Sequence, residues 1–244
     1  MRMSESYVRA WESYWGDIPD DPGEAIWDSD PSLTAIPHLE LFAPYADPGL
    51  PVVDLGCGSG TQTRCLADHF PRAVGVDLSH AAVELARRAD PAARARYAQL
   101  NAADTGAVRE LHRSLGDSNV YMRAVMHQSE AQDRPLIAAA VAELVGARGR
   151  AFVVELTTES KTLLGELLEE PGGPPPKLAR VLAHGLKPAA SQDREVPALL
   201  RAAGLTVLAH GRTALAQTEY RADGTRIDLP AQWLIVGRLP GPAA

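Results

Sequence analysis

Between Val52 and Gly60 the chain reads VVDLGCGSG, a short β-branched run that ends in an acid and is followed by three glycines in five positions. An apolar run of that length, bounded by turn residues, fits a strand buried on both faces. Glycines directly after it let the chain adopt positive φ and bring bare backbone close to a ligand. Together they point to an open parallel α/β sheet, where ligands bind beyond the carboxyl ends of the strands as the first strand turns into its helix.

The rest of the chain follows the same plan. Strand-like runs at 50–55, 73–77, 96–100, 120–126 and 151–156 alternate with helical patterns. The helices are expected over 61–70, after the N-cap Ser79, over 105–115 with Gly116 as the stop, and from Asp133 and Pro135 to about Val145. PGGPPP at 171–176 cannot continue a helix or a central strand, so it reads as a stiff surface link between two helical pieces. A helix over 193–203 ends at Gly204, and two last strands are expected at 205–210 and 233–239. A polar segment, 217–228, joins them in place of a crossover helix, which makes them antiparallel neighbours. A chain of 244 residues suits one such domain. The expectation is a seven-stranded, mostly parallel sheet with an antiparallel last strand and helices on both faces. Residues 1–48 form an N-terminal helical cap segment, and 49–240 form the core with an insertion at about 160–190.

Charge and cysteine usage remove several function classes. No Lys or Arg lies between Arg9 and Arg64, an interval that holds ten acids from Glu12 to Asp54. Such a stretch repels phosphate backbones, which disfavours a nucleic-acid partner. It reads either as a solvated acidic loop or as a rim for a cationic cofactor or an amine-bearing substrate. Cys57 and Cys65 are the only cysteines and give neither a disulfide framework nor a zinc pattern, so no metal is expected. MRMSESYVRAW lacks the apolar core of a signal peptide, and no apolar run approaches the ~20 residues of a membrane span. A cytoplasmic protein without membrane partners is expected, as a monomer or homodimer.

The glycine turn itself rejects two ligands. A dinucleotide site needs G-x-G-x-x-G, but after Gly56 and Gly58 the sixth position is Thr61. A phosphate loop needs a lysine after its last glycine, and none follows Gly60. Asp54 beside the turn is a poor neighbour for phosphate and a good one for an ammonium or sulfonium group.

DLGCGSG, residues 54–60, resembles the first motif of the class I (Rossmann-like) S-adenosylmethionine-dependent methyltransferases. VGVDLS, QLNAADT and GRAFVVEL resemble that family's later segments and occur in its order, so the resemblance spans about residues 50–160. The resemblance implies S-adenosylmethionine as cofactor. Asp54 and the Gly56, Cys57 and Gly58 backbone would hold its methionine part, with Gly60 keeping the turn clear. Asp77 would bind the ribose and Leu78 would pack on the adenine. Asn101 or Asp104, with Ala102 between them, would face the adenine amine; Asp104 fits a helix N-cap equally well. Arg123, costly to bury unpaired, either reaches the site rim as a cofactor residue or pairs with a carboxylate. The N/D-P-P-Y signature of methyltransferases that act on base or glutamine amines is absent, and VYMRAVMHQ stands in its place.

Methyl transfer from a sulfonium is an in-line displacement that rewards alignment and exclusion of water. A hydroxyl acceptor also needs a base. His127, just after the fourth strand, suits that role because imidazole titrates near neutrality; a His in a first helical turn serves equally as a cap. Trp15 and Trp27, from the aromatic-rich first 48 residues, with His38 and Glu155, are the candidate substrate-binding residues. The implied activity is methylation of a small molecule, a natural product or other secondary metabolite, at oxygen. The alternatives are N-methylation, a non-methylating cyclisation or elimination, or a partner-binding module.

Overall fold

The computed structural model describes residues 5–170, 172–187 and 192–239. Pro171, the first residue of the expected PGGPPP link, and residues 188–190 of the expected insertion lie outside it. The N-terminal part carries α1 (Glu5–Asp17) and α2 (Ala35–Phe42). Then follow β1 (Val52–Leu55), α3 (Thr61–Leu66), β2 (Ala73–Asp77), α4 (His80–Arg88), β3 (Arg96–Gln99) and α5 (Thr105–Leu115). The middle of the chain forms β4 (Asn119–Arg123), α6 (Arg134–Val145) and β5 (Arg150–Leu156). The end carries α7 (Thr158–Glu169), α8 (Pro176–Ala183), α9 (Glu195–Ala202), β6 (Thr206–Tyr220) and β7 (Arg226–Gly237). None of the described helices is long and apolar enough to cross a membrane.

Among the described residues one seven-stranded sheet runs in the order β3-β2-β1-β4-β5-β7-β6. The first five strands by sequence pair in parallel, β7 runs antiparallel to β5, and β6 antiparallel to β7. The order reverses between β1 and β4, which opens a crevice above their carboxyl ends. Because helices cover both faces, neighbours in a strand are buried on opposite sides: Val52 and Val53 are both fully enclosed. Val53, Leu55, Met122 and Val153 pack in the core that includes α6 and α9, while Val52, Tyr121, Phe152 and Val154 pack in the one that includes α2 and α3. A third apolar cluster gathers Tyr14, Trp15, Ile26, Leu167, Leu178 and Leu229 from both ends of the chain.

Three boundaries differ from the sequence reading, each for a local reason. The helix after the glycine turn stops at Leu66, giving way to turns ahead of Pro71. The fourth strand stops at Arg123 because Ala124 turns left-handed, at φ 60°. The polar segment 217–228 is not a linker: most of it extends β6 and β7 into a hairpin overhang beyond Leu156 of β5, whose last partner is Ala231. Gln217 and Glu219 occupy buried positions there, which hides the strand pattern from a hydrophobicity count.

The acidic N-terminal stretch is largely partnered. Asp20 pairs with Arg88, Glu24 with Arg180 and Asp47 with Arg148. Glu12 of α1 accepts from Ser79 Oγ at 2.7 Å and Ala81 N at 3.2 Å, holding α1 against the start of α4. The overhang is laced to the same region. Thr218 N donates to Ile26 O at 2.7 Å, and Lys177 Nζ of α8 donates to Gly23 O at 2.7 Å and Thr218 O at 3.4 Å.

Candidate functional site

The turn after β1 uses its glycines to let the protein's own side chains approach. Gly56 and Gly58 have φ of 81° and 53°. A Cβ on Gly56 would stand 2.5 Å from Val125 Cγ2, and one on Gly58 2.8 Å from the Trp15 ring. Gly60 is closed by Tyr97 in the same way. The amide groups of Gly56 and Cys57 donate to Val76 O at 2.8 and 3.0 Å, and that of Gly58 donates to Asp77 Oδ2 at 2.9 Å. With these donors engaged, the turn offers a ligand carbonyl oxygens and a carboxylate, which suit a cation and repel a phosphate.

Asp77 ends β2 with both oxygens used by backbone amides, the second by Ser79 N at 2.9 Å. Burial is the main reason its carboxyl titrates above the ordinary carboxylate range. A large cavity runs from this acid along the sheet's carboxyl edge. Gly56, Cys57, Gly58, Asp77 and Leu78 line one end, where Val76, Leu100, Ala102 and Ile137 form an apolar slot beside the acid. An acid, turn carbonyls and an apolar slot in sequence match a cationic nucleoside thioether in chemistry and order.

Across the cavity stands His127, in the short 3-10 turn of Met126–Gln128. Its ring is 4% exposed as a residue and lines the cavity. The Glu155 carboxylate at the end of β5, 1% exposed, accepts from Val125 N and Met126 N at 2.9 and 2.7 Å, and from His127 N at 3.1 Å. The same carboxylate lies 2.9 Å from His127 Nδ1. A carboxylate only accepts, so Nδ1 donates to it and Nε2 is the ring nitrogen left to exchange a proton with a ligand. The left-handed Ala124 bends the chain so that these three amides converge on Glu155.

The cavity therefore gathers Gly56, Cys57, Gly58, Asp77, Leu78, Ala102, Arg123, His127, Trp15 and Trp27 from the residues singled out in the sequence. Arg123 reaches the wall and forms no ion pair among the described residues; its Nη1 donates to Trp27 O at 2.8 Å. Six others stand apart from it. Asp54 turns into the protein, accepting from Thr63 Oγ1 at 2.6 Å, and its burial pushes its pKa up to about 6. Gly60 abuts Tyr97. Asn101 Oδ1 closes its own turn on Ala103 N at 2.8 Å, and Asp104 caps α5 through Gly106 N and Ala107 N. His38 lies on the other face of the sheet, 2.8 Å from Tyr121 Oη and packed on Phe152, where burial lowers its pKa to about 3. Glu155 sits behind His127 and lines no part of the cavity.

Sequence reasoning missed Tyr7, Trp11, Gln128, Ser129 and the hairpin residues Leu215, Gln217 and Leu229, all of which line the cavity. The Tyr7 side chain hydrogen-bonds Ser129, tying α1 to the segment after His127. The spacing of Tyr7, Trp11 and Trp15 at i, i+4 and i+8 was the available signal, one helix face aimed at the sheet.

A sequence model of the methyltransferase-domain family matches residues 52–149. The crystal structure of an S-adenosylmethionine-dependent methyltransferase from Anabaena variabilis superposes with a TM-score of 0.89 at 28% identity, covering 98% of each chain. A structure from work on converting a disulfide bond into a thioacetal group during echinomycin biosynthesis gives 0.64 at 21% identity, covering 96% of this chain and 90% of that one. Magnesium protoporphyrin IX methyltransferase from Synechocystis, solved with bound SAH, gives 0.55 at 16%, covering 96% and 95%. These last two show a shared fold alone. No functionally curated protein matches the sequence.

Proposed function

Because this chain carries a methyltransferase domain of the class I, S-adenosylmethionine-dependent kind, we propose that it methylates a hydroxyl oxygen of a small molecule, with His127 as the base. S-adenosylmethionine, when bound, supplies a methyl group made electrophilic by its sulfonium. The turn carbonyls and Asp77 would hold its methionine and ribose portions, and Leu78, Leu100, Ala102 and Ile137 its adenine. Arg123, a cation with no carboxylate partner among the described residues, suits the carboxylate of the methionine portion. Residues 1–48 act as the cap and 49–240 as the catalytic core, with an insertion at about 160–190.

One observation carries the choice of oxygen: His127 is fixed by Glu155 with its acceptor nitrogen available at the cavity. A thioether or an unprotonated amine gives up no proton before attack, whereas a hydroxyl must lose one. The burial of the pair and the Trp15 and Trp27 rings over the crevice exclude water from that transfer. The test is incubation with S-adenosylmethionine and a panel of phenols, alcohols and amines, followed by detection of S-adenosylhomocysteine and of methylated product. Methyl ethers formed by the wild type and not by His127→Gln support the reading. Methylated amines alone, or turnover without S-adenosylhomocysteine, would overturn it.

A further inference from the structure

Beyond Arg123 and His127 the cavity changes character. Its far wall is built by Leu156 of β5, Leu164 of α7, Val181 and Leu182 of α8, and Leu215 and Leu229 of the hairpin overhang. Among the described residues lining the whole cavity, the charged side chains Asp28, Asp77 and Arg123 belong to the glycine-turn end or its rim. Asp28 is held there by Ser59 Oγ at 2.6 Å. The far wall has one polar side chain, Gln217, which is buried; its Nε2 donates to Leu215 O at 2.8 Å within its own strand. That bond orients the amide and leaves Oε1 to accept from a ligand.

We propose that this far wall is the acceptor subsite and that it takes an uncharged, lipophilic hydroxy compound, an aromatic or polycyclic alcohol, with a donor group set against Gln217. The inference rests on the methyltransferase reading of the same cavity and goes further by naming the substrate class. A carboxylate, phosphate or ammonium on the acceptor would lose its water against leucine and valine with no counter-charge, and would be rejected. An apolar ring loses nothing there and gains by leaving water. The wall comes from five elements, β5, α7, α8, β6 and β7, and Leu156, Leu164 and Leu182 on it are only part-buried. Side chains that face inward and stay incompletely covered are what an apolar guest completes.

The protein is loaded with S-adenosylhomocysteine and titrated with 2-naphthol, 6-hydroxynaphthalene-2-sulfonate and 6-hydroxy-2-naphthoate, which share one ring system. 2-Naphthol is expected to bind about tenfold or more tightly than either anion. Leu182→Glu and, separately, Leu164→Gln are expected to weaken 2-naphthol about tenfold with S-adenosylhomocysteine affinity unchanged, which also certifies their folding. Equal or tighter binding of the anions overturns the proposal, as does failure of all three probes on protein that holds S-adenosylhomocysteine. Failure to bind S-adenosylhomocysteine itself would bring down the cofactor reading and this inference with it. With S-adenosylmethionine in place of S-adenosylhomocysteine, tight 2-naphthol binding without a methyl ether would leave the subsite standing and count against O-methylation.

Discussion

The two ends of the cavity are made in opposite ways. At the glycine turn, residues 56–58 and 76–78 supply the polar lining from two short stretches on neighbouring strands, and main-chain atoms set the geometry. At the far wall, side chains from β5, α7, α8 and the hairpin converge across some seventy positions of sequence, and apart from the Gln217 amide their size and apolarity set the surface. The first end tolerates almost no change of residue type, because a Cβ at Gly56 or Gly58 collides with Val125 or Trp15. The second can be rebuilt with any apolar side chains that fill the same volume. On the proposed function, that division would serve a cofactor shared by many enzymes and an acceptor peculiar to one.

Four experiments would break or sharpen the contrast. The largest effect is expected from His127→Ala, which should lower kcat by a hundredfold or more while the Kd for S-adenosylhomocysteine stays put, since general bases contribute about 10²–10⁴. Steady-state kinetics beside calorimetry checks it, and unchanged turnover would remove His127 from the reaction. Asp54→Asn addresses the buried acid under the turn. Its folded pKa of about 6 lies above the ordinary 3.8, so the native state binds more protons and wild-type stability falls as pH rises through that window. Denaturation at pH 4 and pH 7 should therefore show the variant gaining on wild type by about 2 kcal/mol at the higher pH. A gap independent of pH would mean that Asp54 titrates normally.

Gly58→Ala forces a side chain into left-handed backbone and into the Trp15 ring, for a loss of roughly 2 kcal/mol in stability. Urea unfolding measures it, and a neutral result would show that α1 yields freely. Asp77→Ala should weaken cofactor binding by more than tenfold, about 1.4 kcal/mol, and leave 2-naphthol binding to the far wall within twofold. If both ligands weaken together, the two ends are energetically one site.

What could be read from the sequence follows the same division. The sheet, the helix caps at Ser79 and Asp104 and the stop at Gly116 are local signals, each satisfied within a few residues, and the structure repeats them. Asp77 and Leu78 were legible because a strand end fixes where a side chain must point. Asp54 was not, since strand alternation sent it toward Thr63 on α3, and no pattern in a single chain says which face of β1 borders the crevice. His38 looked near the site by sequence and lies across the sheet, because α2 packs on the face opposite α6. His127 was visible as a position and Glu155 as a strand end. Their pairing, through the left turn at Ala124, required three dimensions. The overhang escaped detection because it buries Gln217 and Glu219 where an alternating strand would be expected to bury apolar residues.

The lacing of Thr218 to Ile26 and of Lys177 to Gly23 joins the first thirty residues to α8 and the hairpin overhang. During synthesis the five parallel strands and the motif-bearing turn leave the ribosome before β6 and β7 exist. A nascent chain halted near residue 200 thus holds every signature by which it could be recognised, yet lacks the overhang and the Thr218 bond to Ile26. The far wall of the cavity closes only when β6 and β7 arrive, so ligand-dependent protection from proteolysis should switch on late and all at once.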